Sequence, residues 1–548
     1  MADHRSRQIT NVPSHRSRIR AALGGLSLLC LWGCAQAPAQ TRPPAVDEAP
    51  VTRPAGAAQQ PVASTPPPPE PAKAEAAPVA EPEKPGRRWA DEILYFVVVD
   101  RFADGDATNN VKVDPRGKGA FHGGDLKGLT AQLDELSSLG VTALWVTPLV
   151  KNIDGFVTGA GFPDWGYHGY WADDFHQLDP RFGTEADLKG LVDAAHQRGI
   201  RVLLDVVYNH PGYNSRYLTQ KPGWLRSEER GTCGTDDITS CLSGLPDFKT
   251  EEPEVAKYLL DAQLAWAKKS GVDGFRLDTV KHVSHDFWKE HRRRTRAELG
   301  TDFFLLGELW GGDVQSLDPY FSGGEMDAGF DFSFQGSALS FVLGRGRTVA
   351  FDRYLQSRAK VREGYHLAHF LSSHDVDGAL HLLQGDVARF RLAATLQLTT
   401  SGIPVIYYGE EVARPGGGWP ANRSDMPWGK RAVKPGAGLQ RDEKLREYYR
   451  KLIAVRRAHP SLSRGTHEAL STEGDVYVFL RHDAASGDAV VVAVNRGTSR
   501  ATVSVPWPQS WRGATEAEDL LNGGRMAADA TMRLVIEPLS ARILGRAP

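Results

Sequence analysis

Cysteine is scarce in this chain. Only Cys30, Cys34, Cys233 and Cys241 occur in 548 residues, and none has the spacing of a zinc site or a dithiol redox site. An excess of one charge is also missing, since 65 Lys and Arg stand against 67 Asp and Glu for a net charge of −2. Near-neutrality removes the electrostatic grip by which proteins hold nucleic acid. The apolar run at 21–32 falls short of the ~20 residues a spanning helix needs. No internal repeat is visible. What is present is a soluble globular composition, 41% hydrophobic and 24% charged, on a chain too long for one core. Two or more folded units are expected.

The first 34 residues read as an address rather than a fold. Arg16, Arg18 and Arg20 precede the apolar run, which ends Leu31-Trp32-Gly33-Cys34. This resembles a bacterial lipoprotein signal, in which a small residue precedes a Cys that becomes the lipidated N-terminus. The alternative is a plain signal peptide cleaved nearby. The first places a Cys34-anchored protein at an outer membrane or cell surface, and the second a periplasmic or secreted one. Residues 35–88 hold fourteen Pro and no aromatic, Leu or Ile. Such a segment cannot bury enough apolar area to offset its ordering entropy, and its Pro content makes it an extended tether. In an oxidising compartment Cys233 and Cys241, in a Gly/Ser/Thr-rich loop, are expected to form a short-loop disulfide; the alternative is two free thiols.

From Trp89 onward, short apolar runs alternate with amphipathic stretches. Strands are expected at 93–100, 143–148, 200–209, 274–280, 303–309, 326–332, 369–374 and 403–408, with helical patterns such as 184–198 and 254–269 between them. Eight strands alternating with helices imply a (β/α)₈ TIM barrel, an α/β fold, over 89–463. The stretch 211–253, rich in Gly, Ser, Thr and Asp, is too long for an ordinary loop after strand 3 and implies a small excursion domain. From 464 to 548 the strands come without helices, which suggests a C-terminal antiparallel β-sandwich.

Reactive groups in such a barrel sit at the C-terminal ends of strands. Strand 3 ends in Asp205 to His210. Strand 4 reads Gly274-Phe275-Arg276-Leu277-Asp278 and runs on to Lys281-His282. Strand 5 ends Gly307-Glu308-Leu309-Trp310, and strand 7 ends Ser372-Ser373-His374-Asp375. Alternation places Arg276 and Asp278 on one face. An Arg two residues from a carboxylate keeps it ionised, as a nucleophile requires. Glu308 lies among apolar neighbours that favour its neutral form, as a general acid requires. Two carboxyls differentiated in this way are the working pair of a glycosidase. Buried salt bridges filling the barrel would explain one such strand, but less easily four.

These segments resemble the signature regions of the α-amylase family of glycoside hydrolases. The likeness extends to 140–148, 167–171, 179–184 and 402–411, and spans roughly residues 89–460. It implies that Asp278 is the nucleophile, Glu308 the acid/base and Asp375 the carboxylate that stabilises the transition state. Arg276, His210 and His374 would hold the sugar at the scissile bond, with Asp205 as support beneath it. Tyr170 would be its aromatic platform, with His168 alongside. Lys281 and His282 would contact the leaving side of the substrate. The implied reaction is retaining hydrolysis of α-1,4-glucosidic bonds in starch-like α-glucans or maltooligosaccharides, through a covalent glycosyl-enzyme.

Asp104, Asp106, Asn109 and Asn110, followed by Gly123 and Asp125, cluster hard oxygen donors on a Gly-containing loop, which suits Ca²⁺. The run resembles the N-terminal calcium loop of cyclodextrin glucanotransferases and cyclomaltodextrinases; the alternative is a plain polar loop. A second family calcium site would use Asn209, but Gly244 stands where its carboxylate usually lies. Within the family, cyclomaltodextrinases or neopullulanases and glucanotransferases are the rival readings. The former usually carry an N-terminal β-domain and the latter further C-terminal domains, so a hydrolase with an open cleft is expected here. A non-catalytic glucan-binding relative is a more distant alternative, which three intact carboxylates oppose. The Gly- and Trp-rich stretch 416–428 reads as a wall of the cleft with no assigned role.

Overall fold

The computed structural model describes residues 87–547, apart from 528 and 530. The export signal, Cys34 and the tether up to residue 86 lie outside the described residues. The barrel is closed and parallel, with strands β1 (Leu94–Val97), β2 (Ala143–Val146), β3 (Arg201–Val206), β4 (Gly274–Leu277), β5 (Phe304–Gly307), β6 (Ala328–Asp331), β7 (His366–Phe370) and β8 (Ile403–Tyr407). β8 pairs back onto β1, with Val405 opposite Leu94. Almost every strand residue is buried, as a sheet covered by helices on one face and filled by side chains on the other demands.

The helices start and stop where local chemistry says they should. Thr184 caps the helix Glu185–Gln197 in a reciprocal capping box with Asp187. Pro253 opens the helix Pro253–Ser270, and Gly271 at φ +77° ends it. Strand β7 departs from expectation: it runs 366–370 rather than 369–374. Two polar residues, His366 and His369, break the apolar pattern there. His369 is nevertheless fully buried, with Nε2 2.8 Å from Gln397 O, so it belongs inside the strand. Ser372 to Asp375 therefore sit in the loop beyond the strand, at the catalytic rim.

Two excursions rise above that rim. After β2, Val150–Asn152 pairs antiparallel with Ala172–Leu178, and the loop between them carries His168 and Tyr170. After β3, a two-stranded ladder of Leu225–Arg226 and Asp247–Phe248 holds a segment in which Cys233 and Cys241 are bonded.

Beyond the helix Pro460–Arg464 the chain forms a six-stranded antiparallel sheet and a two-stranded one, Ala501–Pro506 with Thr531–Ile536. Alternation divides its side chains. Tyr477, Phe479, Val490, Val492 and Val494 join the barrel's core, whereas Val478, Val491 and Ala493 pack with Val505, Met532 and Leu534 between the two sheets.

Candidate active site

Strand register assembles the centre. β3 and β4 place Asp205 opposite Arg276, while β4 and β5 place Leu277 opposite Gly307. The next residue along each of the latter strands is Asp278 and Glu308, so the two carboxyls emerge side by side at one rim. The guanidinium of Arg276 ties them together. Its Nη1 donates to Asp278 Oδ1 at 2.6 Å and to the Asp205 oxygens at 3.0 and 3.1 Å, and Nη2 lies 3.8 Å from Glu308 Oε2. Asp205 also accepts from the Tyr170 hydroxyl at 2.7 Å and the Trp145 indole at 3.0 Å. It is saturated beneath the site and buttresses both Arg276 and Tyr170.

Burial separates the carboxyls chemically. It pushes Glu308 up to about 8, a rise that Arg276 opposes and Asp278 reinforces. At neutral pH Glu308 therefore carries a proton, while Asp278 shares a 2.6 Å charge-assisted bond with Arg276. Glu308 Oε2 also accepts from the Thr279 amide at 2.8 Å. Thr279 sits at φ +49°, a left-handed conformation that costs a β-branched residue about 1–2 kcal/mol. The turn that aims its N–H at the acid is held against that strain.

Around this pair lie rings and neutral donors. Tyr170 and His374 stack with centroids 5.3 Å apart and planes 15° apart. Burial lowers the pKa values of His168, His210 and His374, so all three rings are uncharged at pH 7. His168 Nδ1 accepts from the Tyr170 amide at 3.1 Å, which puts its proton on Nε2. His374 Nε2 lies 3.1 Å from Asp375 Oδ2.

The structure also supplies a residue that sequence reasoning does not single out. Arg423, from the stretch 416–428, donates Nη2 to Asp375 Oδ1 at 3.1 Å and Nε to His374 O at 2.7 Å. Asn422 donates to His374 O at 2.9 Å and Val376 O at 3.1 Å. The loop after β8 thus braces the loop after β7. No local motif announces this, because the partners are 48 residues apart.

On the other flank, Lys281 Nζ is 3.3 Å from Asp237 Oδ1, and His282 Nδ1 is 2.8 Å from Asp237 O. With its nitrogen turned toward them, the Asn209 amide donates to Asp247 Oδ1 at 3.2 Å and His282 O at 3.0 Å. Arg226 Nη1 donates to Asp247 Oδ2 at 2.8 Å. Asn209, Asp247 and the His282 carbonyl thus converge where a second family calcium would lie.

The first loop has a different character. Asp125 accepts from the Gly105, Asp106 and Gly128 amides and from Asn109 Nδ2, and Asp104 Oδ2 accepts from Asn110 Nδ2 at 2.9 Å. Oδ1 of both Asn109 and Asn110 is buried with no hydrogen-bond partner. Gly123, at φ +96°, leaves room that a Cβ would take, only 2.6 Å from Asn110 Oδ1. Two orphaned amide oxygens beside two carboxylates fit a hard cation. Asp106 fits less well: its carboxylate is turned to Lys127 Nζ at 2.6 Å and to Thr108. Among the described residues no three His, Cys, Asp or Glu side chains converge as a metal group, so a cation here would depend on the amide and backbone oxygens.

Comparison with known proteins gives a consistent picture. Residues 96–230 and 238–426 match the family described as "Alpha amylase, catalytic domain". A cyclomaltodextrinase from Bacillus sp is 33% identical over 437 residues, covering 74% of this chain and 72% of its own length. Among solved structures, an Anoxybacillus α-amylase superposes with TM-score 0.73 at 33% identity, covering 84% of this chain and 99% of that one. A cyclomaltodextrin glucanotransferase with a three-domain ABC distribution gives TM-score 0.73 at 27% identity, covering 83% and 99%. The number of C-terminal domains therefore does not separate hydrolases from transferases here.

Proposed function

The chain belongs to the α-amylase family of glycoside hydrolases, and from that premise we propose that it hydrolyses α-1,4-glucosidic bonds of starch-like glucans or maltooligosaccharides with retention of configuration. The observation that carries this reading is the single guanidinium of Arg276 between a carboxylate it pairs with at 2.6 Å and a carboxyl that burial pushes up to about 8. Asp278, ionised and aimed by Arg276, attacks the anomeric carbon. Glu308, protonated, gives its proton to the leaving oxygen and then takes one from water as that water releases the glycosyl-enzyme. Asp375, steered by Arg423 and His374, stabilises the flattened cationic ring, which rests against Tyr170. The neutral His168 and His210 offer N–H groups to sugar hydroxyls without adding charge that would oppose the oxocarbenium ion, while neutral His374 directs its one N–H at Asp375.

The experiment is NMR of the first product formed from maltoheptaose. An α-anomer is expected, and a β-anomer would overturn the assignment of Asp278 as nucleophile. The likeness to a cyclomaltodextrinase and a glucanotransferase favours a second reading, ring opening or transfer, and product profiles on starch, pullulan and β-cyclodextrin separate the two.

Calcium fits the first loop. Asp104, Asp125, Asn109, Asn110 and the Gly123 carbonyl would hold it, with Asp106 recruited from Lys127. Its contribution there is to fix the loop after β1 rather than to act on the bond. Export with a lipid anchor at Cys34 follows from the N-terminal sequence, and replacing Cys34 by Ser should move the protein from the membrane fraction to the soluble one. If the wild type is already soluble, the anchor assignment is wrong.

A further inference from the structure

The Cys233–Cys241 bond closes a loop with a sequence separation of eight, and that loop is pinned internally as well. Asp236 Oδ1 accepts from the amides of Ile238 and Thr239, both at 2.9 Å, and Oδ2 accepts from the Thr239 hydroxyl at 2.7 Å. Gly234 N donates to Thr239 O at 2.7 Å, and Ser240 N to Asp236 O at 3.1 Å. A Cβ on Gly234 would run into Thr239 Oγ1, so only glycine permits this closure. The loop is rich in small polar residues, and its tip, residues 234–237, is exposed. The covalent bond and the Asp236 turn order it.

What the ordered loop presents is Asp237, and it touches two consecutive residues of the site. Its carboxylate is 3.3 Å from Lys281 Nζ, and its carbonyl accepts from His282 Nδ1 at 2.8 Å. An exposed ion pair alone contributes little, and the Asp237 side chain is 64% exposed. The second contact differs, because His282 is buried. Donating Nδ1–H to Asp237 O fixes the ring's orientation.

We propose that the Cys233–Cys241 loop is a positioning device for the leaving-group side of the cleft, with Asp237 as the residue that sets Lys281 and His282 for an α-glucan chain. This rests on the reading that those two residues face the departing part of the substrate. The loop makes no contact with Asp278, Glu308 or Asp375 among the described hydrogen bonds and ion pairs, so it acts on substrate binding and not on bond cleavage.

The test compares maltoheptaose, which fills the leaving side, with α-maltosyl fluoride, whose leaving group is a single atom. Asp237→Ala should raise KM for maltoheptaose about threefold, the scale of an exposed ion pair, since the carbonyl that meets His282 survives. Asp237→Asn should raise it less, because the amide oxygen can still accept from Lys281. Cys233→Ser with Cys241→Ser should raise it about tenfold, since the whole loop regains its conformational freedom. For all three, kcat/KM on α-maltosyl fluoride should stay within about twofold of wild type. Equal losses on both substrates, or no change on maltoheptaose for Asp237→Ala, would overturn the proposal. If the double serine variant fails to give a wild-type melting curve, the Asp237 variants, which keep the disulfide, decide the matter. A wild-type protein that cleaves neither substrate would instead defeat the underlying reading of the site.

Discussion

Arg276 does at residue scale what no single carboxylate could do alone. It binds Asp205 and Asp278 directly and reaches toward Glu308, so three acids share one buried cation. Its charge falls short of neutralising all three, and burial lets Glu308 keep its proton to about 8. Activity that needs this proton should be lost as pH rises through about 8. Glu308→Gln should slow maltooligosaccharide hydrolysis about a hundredfold to ten-thousandfold but glycosyl fluorides far less, because fluoride leaves without a proton. Asp278→Asn should abolish both. Equal slowing of the two substrates by Glu308→Gln would contradict the acid assignment. That Asp278, Glu308 and Arg276 converge at one rim could be read from the sequence because adjacent strand ends carry them in short, ordered motifs. Arg423 and Asp237 could not. Each reaches its partner across a fold, 48 residues away in one case and 45 in the other, from a loop with no periodic pattern.

At the scale of elements, the strands and helices were largely legible because each strand is an apolar run and each long helix has its own caps. β7 was misplaced because His366 and His369 hide an inward-facing strand. Nothing local reveals that Gln397 and Arg358 satisfy His369. The first loop was legible as a cluster of oxygen donors, though not the diversion of Asp106 to Lys127. That loop supports a prediction about metal removal. Asn109 Oδ1 and Asn110 Oδ1 have no protein partner, so a chelator that strips calcium should leave them desolvated and unpaired. The melting temperature should fall by several degrees, with a much smaller loss of activity at moderate temperature. Asp104→Ala with Asp125→Ala should produce the same fall and make the protein indifferent to chelator. If metal analysis finds no calcium and a chelator leaves the melting curve of the wild type unmoved, the loop is only a polar turn.

At the scale of the whole molecule, the barrel buries several acids, and that sets how stability responds to pH. Glu410, just past β8, accepts from the Tyr407 amide at 3.0 Å, and burial pushes it up to about 8. Its neighbour Glu411, bonded to the Tyr95 hydroxyl, is raised by burial as well. Asp205 and Asp247 rise to about 7 for the same reason. The sign follows from proton counts. In the unfolded chain a glutamate loses its proton near 4.5, whereas in the folded protein Glu410 keeps it until about 8. Between those limits the folded state binds more protons, so stability falls as pH rises from about 4.5 to about 8. Below that window Glu410 contributes its full stabilisation, and above it none. Glu410→Gln keeps the size and the acceptor for Tyr407 N but cannot ionise. Thermal melts at pH 5, 6.5, 8 and 9 should show a steep decline for the wild type and a shallower one for the variant. At pH 8 and above the variant should melt higher by about 2 °C or more. An unchanged slope would mean that Glu410 is already ionised inside the folded barrel, with the nearby Arg414 outweighing its burial.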